Sequence, residues 1–257
     1  MYKKAQTITI LLLFIAIVAS VSGCSGPGHI TTPTVGPTVT PVPPNVTPSA
    51  TPVVINYANV TTSSDGATLV TGNNRQTVPP ITFGQGVYIV SWSSTGSTIG
   101  ASMNDISGYS LDILAQGQKS GQKLFVIDGD TVQPGNYVLS VQSDGNWNFR
   151  IWKPDTSSPA SLPLTASSTD GNVLVTNPFQ AHAGDLKVGY LFSQTLQVSG
   201  TVYIYEVSTG TSFYVRPMLA GSDQGQSIAT APSDGIYIAQ FMPPSGSGDS
   251  VFTITQQ

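Results

Sequence analysis

The chain has 257 residues, 9% of them charged, and a formal net charge of −4 at pH 7. Low charge, many turn-forming residues and many β-branched residues favour an all-β protein that faces the outside of a cell. Nucleic-acid binding needs a basic surface, and the nine lysines and arginines are scattered along the chain. We therefore predict no nucleic-acid partner.

The N-terminus carries the three parts of a secretory signal peptide: Lys3 and Lys4, an apolar run that begins near Ile8, and small residues before a cleavage point. The run is shorter than the roughly 20 apolar residues of a membrane-spanning helix. The segment Val21–Cys24 resembles the bacterial and archaeal lipobox. This resemblance implies that residues 1–23 are removed and that Cys24 becomes a lipidated first residue, which anchors the protein at the outer face of the cytoplasmic membrane. Since Cys24 is the only cysteine, the sequence excludes an internal disulfide and a thiolate metal site.

Residues 24–52 form a Thr/Pro-rich tract with eight prolines between positions 27 and 52. Proline at this density blocks both helix and ladder hydrogen bonds, so the tract is predicted to be a disordered, extended stalk. Threonine beside proline is also the composition of O-glycosylated stalks. Asn45 and Asn59 head Asn-x-Thr triplets, which are acceptor sites for N-glycosylation. Such triplets also occur by chance and stay unmodified.

From Val53 onwards, short apolar runs alternate with turn-forming residues at a spacing of about 8–12 residues, which is typical of a β-sandwich or barrel. The predicted strands of the first half are 53–58, 67–71, 86–93, 110–115, 123–128, 136–141 and 147–152. In the last of these, Trp147, Phe149 and Ile151 alternate with polar residues, so one face is predicted to be buried. The turn at Ser143–Asn146 predicts a hairpin between the last two strands.

Segments of the first half return in the second half. SDGATLVTG at 64–72 resembles TDGNVLVTN at 169–177, and PGNYVLSV at 134–141 resembles DGIYIAQF at 234–241. NFRI at 148–151 is similarly echoed by FTIT near the C-terminus. Similar segments in the same order at nearly the same offset indicate a tandem duplication. We predict two tandem jelly-roll or Ig-like β-sandwich domains, at 53–153 and 164–257, joined by a Ser/Pro/Ala linker at 154–163.

The pattern at Gly135–Ile151 (Gly-x-Tyr, apolar alternation, a glycine turn, aromatic alternation) resembles the last two strands of pre-peptidase C-terminal-like domains of secreted prokaryotic proteins. The order of lipobox, Thr/Pro stalk and β domains also resembles surface lipoproteins of methanogenic archaea. The resemblance implies a jelly-roll-like sandwich, and it implies no site residue.

Residues suited to catalysis are few. His182, the one histidine of the predicted domains, lies three residues before Asp185 and is interpreted as a loop residue. The closest carboxylate pair, Asp128 and Asp130, is interpreted as a turn, since aspartate bonds to nearby amides and Gly129 accepts positive φ. Calcium bound by Asp128 and Asp130 is the milder alternative. The sequence predicts no catalytic residue and no cofactor.

Aromatic side chains are the remaining candidates for ligand contact. Trp152 is predicted to point outward from its strand, and Tyr203 and Tyr205 share one face of another strand. Exposed aromatic rings stack on sugars or anchor a protein partner. The alternative for Trp152 is that the linker or the second domain covers it.

These features predict a non-enzymatic, lipid-anchored cell-surface protein that binds envelope polysaccharide or a surface protein. One alternative is a carbohydrate- or calcium-binding accessory subunit of a secreted enzyme or transporter. The other is a hydrolase whose site the sequence does not reveal.

Overall fold

The computed structural model describes residues 56–169, 171–195, 200–215, 221, 223–244 and 247–257. The predicted signal peptide, Cys24, Asn45 and the stalk lie outside the described residues. The described residues belong to one compact unit, Val53–Gln257. None of them forms a helix with the length and apolar character needed to cross a bilayer.

The described chain is all-β, as predicted, and its strands form two β-sandwiches, here called sandwich A and sandwich B. The strands of sandwich A are β1 Asn59–Thr62, β2 Thr68–Asn73, β3 Gln76–Thr77, β4 Ile81–Phe83, β5 Gly86–Ser94, β6 Ile99–Asp105, β7 Ser110–Gln116, β8 Ser120–Ile127, β9 Gly135–Ser143 and β10 Asn146–Trp152. The strands of sandwich B are β11 Leu164–Ser168, β12 Leu174–Val175, β13 Phe179–Ala181, β14 Gly184–Phe192, β15 Thr201–Glu206, β16 Ser212–Val215, β17 Gln224–Ala231, β18 Gly235–Met242 and β19 Ser250–Gln256.

Each sandwich consists of two antiparallel sheets. Sheet A1 has the order β1-β2-β10-β5-β8, and sheet A2 has the order β3-β9-β6-β7 with β4 also paired to β9. Sheet B1 has the order β11-β19-β14-β17, and sheet B2 has the order β12-β18-β15-β16 with β13 also paired to β18. Each sandwich has its own apolar core, the first containing Trp147 and Phe149 and the second containing Tyr237 and Phe252.

The strand order of sandwich A is repeated in sandwich B, apart from the additional edge strand β1. In this correspondence β9 matches β18 and β10 matches β19, in agreement with the similarity of their sequences. The other sequence similarity does not follow the topology. Leu69 lies in β2, which pairs with β10, whereas Leu174 lies in β12, which pairs with β18. The counterpart of β2 is β11, so that local similarity joins non-equivalent strands.

The repeated Gly-x-Tyr pattern has a structural reason. The hydroxyl of Tyr237 donates to the carbonyl of Ser233 at 2.7 Å, and the hydroxyl of Tyr137 donates to the carbonyl of Gln133. Both tyrosine side chains are buried, at 0% and 5% exposure respectively. Each therefore ties the start of a central strand to the chain four residues upstream, as tyrosine corners do in other sandwiches.

The predicted hairpin between β9 and β10 is wrong. β9 belongs to sheet A2 and pairs with β6, whereas β10 belongs to sheet A1 and pairs with β2 and β5. The turn at Asp144 and Gly145 therefore crosses from one sheet to the other. Both strands alternate in the same way, because both present one face to the core between the sheets. Alternation identifies the buried face of a strand without identifying its partner.

Sandwich A meets sandwich B through a third apolar cluster, here called the junction. Val87, Ile89 and Leu124 on the outer face of sheet A1 pack against Ile238 on the outer face of sheet B2. The Oε1 atom of Gln240 accepts a hydrogen bond from the Leu124 N–H at 2.7 Å. The junction thus combines apolar burial with a buried hydrogen bond and fixes the two sheets against each other.

Candidate ligand-binding groove

Tyr203 and Tyr205 lie on β15 of sheet B2 and point to its outer face. Their neighbours Val202 and Ile204 point inward and are fully buried in the core of sandwich B. The two rings lie side by side, with centroids 6.1 Å apart and planes inclined by 20°. The period-2 alternation of a strand thus produces the shared face that the sequence predicted.

An ion pair closes the neighbouring edge of sandwich A. Lys123 lies on β8, at the edge of sheet A1, and Asp112 lies on β7, at the edge of sheet A2. The Nζ atom of Lys123 donates to Oδ1 of Asp112 at 2.5 Å and to the carbonyl of Ile113 at 2.7 Å. Lys123 occupies an inward-facing position of its strand, so its ammonium group reaches across the open edge of the sandwich to the other sheet.

These features of the two sandwiches line one groove of about 560 Å³, here called the junction groove. Asp112 and Lys123 contribute from sandwich A, and Tyr203, Tyr205 and Gln240 contribute from sandwich B. Leu111, Val132 and Met242 add apolar surface. A mixture of aromatic, apolar and a few polar groups in a concave site of this size is typical of small-ligand pockets.

Partial burial shifts the pKa values of two groups in the groove. Burial raises the pKa of the Asp112 carboxyl, while the nearby ammonium of Lys123 opposes that rise. Burial, followed by the proximity of Tyr203 and Asp112, raises the pKa of the Tyr205 hydroxyl. The Tyr205 phenol therefore stays protonated and can donate a hydrogen bond, and Oδ1 of Asp112 is an acceptor, as its contact with Lys123 shows.

The structure places Trp152 at the other side of the junction. By register, Trp152, Ile89 and Leu124 are direct partners across three strands of sheet A1. The Trp152 ring is half-buried against the junction, and the guanidinium carbon of Arg150 lies 4.3 Å from its ring centroid. Ile89 and Leu124 thus lie between Trp152 and the tyrosine pair. The predicted aromatic residues therefore do not form one site.

Asp128 and Asp130 lie in the loop after β8. Oδ1 of Asp128 accepts N–H donors from Asp130, Thr131 and Val132 at 3.0, 2.8 and 2.8 Å. Burial raises the pKa of Asp128, but these hydrogen bonds outweigh burial and lower it overall. This is the turn geometry that the sequence predicted for the segment.

The remaining titratable candidate, His182, lies in sandwich B. Its Nδ1 atom is 3.3 Å from Oδ2 of Asp234, and both side chains are exposed. Within the described ranges, no three His, Cys, Asp or Glu side chains are grouped so that they could hold a metal ion. Asn59, the predicted glycosylation acceptor, is exposed on the edge strand β1. Calcium binding and glycosylation stay predictions.

Sequence reasoning missed Asp112, Lys123 and Gln240. A signal was present for Lys123, because it shares the inward parity of Phe125 and Ile127 and is a charged residue at a position expected to be apolar. Asp112 and Gln240 carried no such signal. Their roles depend on the neighbouring sheet and on the other sandwich, which no local pattern reveals.

No protein-family model matches the chain, and a search of curated proteins found no match. Among solved structures, a tandem CBM22 domain of Paenibacillus barcinonensis Xyn10C is 11% identical with a TM-score of 0.22, covering 78% of this chain and 90% of that chain. A cupin 2 conserved barrel domain protein from Leptotrichia buccalis is 13% identical with a TM-score of 0.21, covering 74% and 83%. A triple jelly-roll protein of an archaeal virus is 10% identical with a TM-score of 0.26, covering 78% and 58%. At scores this low, the similarities carry no argument about fold or function.

Proposed function

We propose that the protein is a non-enzymatic binding module of the cell surface, anchored through a lipid on Cys24, and that it holds a carbohydrate in the junction groove. One observation carries the proposal: the paired rings of Tyr203 and Tyr205 line the same groove as the Lys123–Asp112 ion pair.

The chemistry of these groups suits a sugar. The face of a pyranose ring that carries its C–H groups is apolar and stacks on an aromatic ring. The hydroxyl groups of the sugar both donate and accept hydrogen bonds. The Tyr205 hydroxyl and the Lys123 ammonium are donors, and the Asp112 carboxylate is an acceptor. The 560 Å³ volume lies within the range of small-ligand pockets.

The same geometry favours binding over hydrolysis. Glycoside hydrolysis commonly uses two carboxyl groups, about 5–10 Å apart, on opposite sides of the scissile bond. Among the described residues that line the groove, Asp112 supplies the one carboxyl group, and Lys123 neutralises it. A second acid to complete such a pair is missing from this set.

The surface setting comes from the expected lipobox and stalk. A lipid on Cys24 would hold the chain at the membrane, and a proline-rich stalk would raise the folded unit into the envelope. A groove that recognises envelope polysaccharide suits that position. The same arrangement would serve an accessory subunit that holds carbohydrate for a neighbouring enzyme or transporter.

The test is binding of the full-length chain, purified in mild detergent, to a glycan panel with and without calcium. Tyr203→Ala and Asp112→Asn should each weaken binding about tenfold, which is about 1.4 kcal/mol, in the range expected when a central aromatic or polar contact is lost. Tyr109→Ala is the matched control, because Tyr109 is 70% exposed on the turn between β6 and β7.

Thermal unfolding of each variant checks that the fold is intact. Saturable binding that survives both groove substitutions would refute the junction groove as the site. Absence of saturable binding to any glycan would refute the carbohydrate proposal.

A further inference from the structure

A second groove, here called the face groove, lies on the outer surface of sheet A1 at the end remote from the junction. Register aligns Asn59, Thr71, Asn148 and Ser93 as direct partners across β1, β2, β10 and β5. With neighbouring strands about 4.8 Å apart, this row spans about 14 Å. On β10, Asn148 lies four residues from Trp152, a separation of about 13 Å along the strand.

The floor of the face groove is closely packed. Trp147 points inward beneath it, is 2% exposed, and donates from Nε1 to the carbonyl of Asn74 at 2.8 Å. Gly72 must lack a side chain at this point, since a Cβ there would lie 2.3 Å from Cζ2 of Trp147. At the rim, Ala58 donates its N–H to the carbonyl of Thr77, which positions the 53% exposed side chain of Tyr57 beside the groove.

The groove has a volume of about 510 Å³, and its lining is polar without being charged. Its lining residues are Asn, Gln, Ser, Thr, Gly, Tyr and Trp, with no Asp, Glu, Lys, Arg or His among them. The Nδ2 atom of Asn148 donates to Oγ of Ser93 at 2.7 Å, which orients both side chains. The side-chain oxygen Oδ1 of Asn148 is left as an acceptor. The side chains of Asn59, Thr71 and Asn146 are exposed and make no hydrogen bond to any described residue.

We propose that the face groove is a second binding site and that its ligand is a linear, uncharged glycan. Amide groups supply donors and acceptors in equal measure, which matches hydroxyl groups that do both. An uncharged lining offers no counter-ion to a uronate, sulfate or phosphate group, so an acidic polymer would lose hydration without gaining an ion pair. The exposed Tyr57 ring provides a stacking surface at the rim. The face groove lies at the end of sheet A1 remote from the junction, and no described residue lines both grooves.

The test uses the full-length chain in mild detergent, made in a host without N-glycosylation so that Asn59 stays unmodified. Isothermal titration calorimetry measures the Kd for neutral linear hexasaccharides of the glucan, mannan and galactan types. The same measurement is made for an oligouronate of equal length. Asn148→Ala and Asn146→Ala are each expected to raise the Kd for a neutral hexasaccharide by about fivefold to tenfold. Thr165→Ala, at an exposed position of β11, is the matched control and should leave the Kd unchanged.

Tyr203→Ala separates this proposal from the one for the junction groove. Neutral hexasaccharide binding that persists in Tyr203→Ala and weakens in Asn148→Ala supports the face groove, whatever happens at the other site. Three results would overturn the inference: no neutral hexasaccharide binds, binding depends on Tyr203 and not on the two asparagines, or the oligouronate binds as tightly and with the same dependence on Asn148. Thermal unfolding of both asparagine variants shows that the fold is retained.

Discussion

Replacing Gln240 by leucine removes a buried side-chain hydrogen bond that joins the two sandwiches at the junction, where the Val87 N–H also donates to the carbonyl of Val207 at 3.3 Å. Gln240 is 3% exposed, and its Oε1 atom accepts the Leu124 N–H at 2.7 Å. Leu124 lies on β8, an edge strand of sheet A1, and an edge strand has N–H groups without a neighbouring strand to bond. Sandwich B therefore supplies the acceptor that sheet A1 lacks.

Leucine is similar in size to glutamine and carries no acceptor, so the variant buries an unpaired N–H group. That costs about 1–3 kcal/mol. For a folded unit of about 200 residues, 1 kcal/mol corresponds to about 2–4 °C in Tm. The expected fall in Tm is therefore about 2–12 °C.

Calorimetry measures the fall in Tm, and hydrogen exchange measures the Leu124 amide directly. Faster exchange of that amide is expected in Gln240→Leu. The matched control is Gln122→Leu on the same strand, because the Gln122 side chain is half-buried and makes no hydrogen bond to any described residue. A Tm within 1 °C of the native protein, together with unchanged exchange at Leu124, would show that the junction does not depend on this bond.

Gly121→Ala should lower the free energy of unfolding by about 1–3 kcal/mol, because a Cβ there would lie 2.3 Å from a buried indole ring. Gly100→Ala, on another strand of sandwich A with no atom within 4 Å of the new Cβ, should be tolerated in the same urea titration. The pKa of Asp65 is lowered from 3.8 to about 2, mainly by the Ser63 hydroxyl and to a smaller extent by the Ala67 N–H and by Arg150. Its contribution to stability is thus present above the unfolded pKa and lost as pH falls towards 2, so Asp65→Asn should flatten the change of Tm between about pH 4 and pH 2. Lys123→Met leaves the Asp112 carboxyl without its cation, and guanidinium titration should show a loss of about 1–3 kcal/mol at pH 7. That loss should shrink towards pH 3, because the protonated carboxyl carries no charge to compensate.

Much of the architecture follows from local sequence patterns. The alternation in β10 predicted that Trp147, Phe149 and Ile151 are buried, and each is at most 2% exposed. That prediction succeeds because the side-chain period of a strand is two, whatever the strand pairs with. The strand β6 was missed, since its sequence IGASMND has few β-branched or aromatic residues. It is a strand because Ile99, Ala101 and Met103 fill the core between the sheets.

The site depended on long-range contacts far more than the fold class did. Sequence reasoning found Tyr203 and Tyr205 as a shared face, and left open whether anything lay opposite them. Asp112 and Lys123 come from edge strands of two different sheets, so their pairing exists only after sandwich A has closed.

Sequence alone determined the all-β class, the two-fold repetition and the buried face of the best-patterned strands, because these depend on residue types and on a period of two within each strand. Tertiary structure alone decided that β9 and β10 belong to opposite sheets, that Trp152 lies across the junction from the tyrosine pair, and that Gln240 completes the edge of sheet A1. Those outcomes depend on which surfaces meet in the folded chain. Leu124 and Gln240, for example, are 116 positions apart, and neither local sequence indicates that they are in contact.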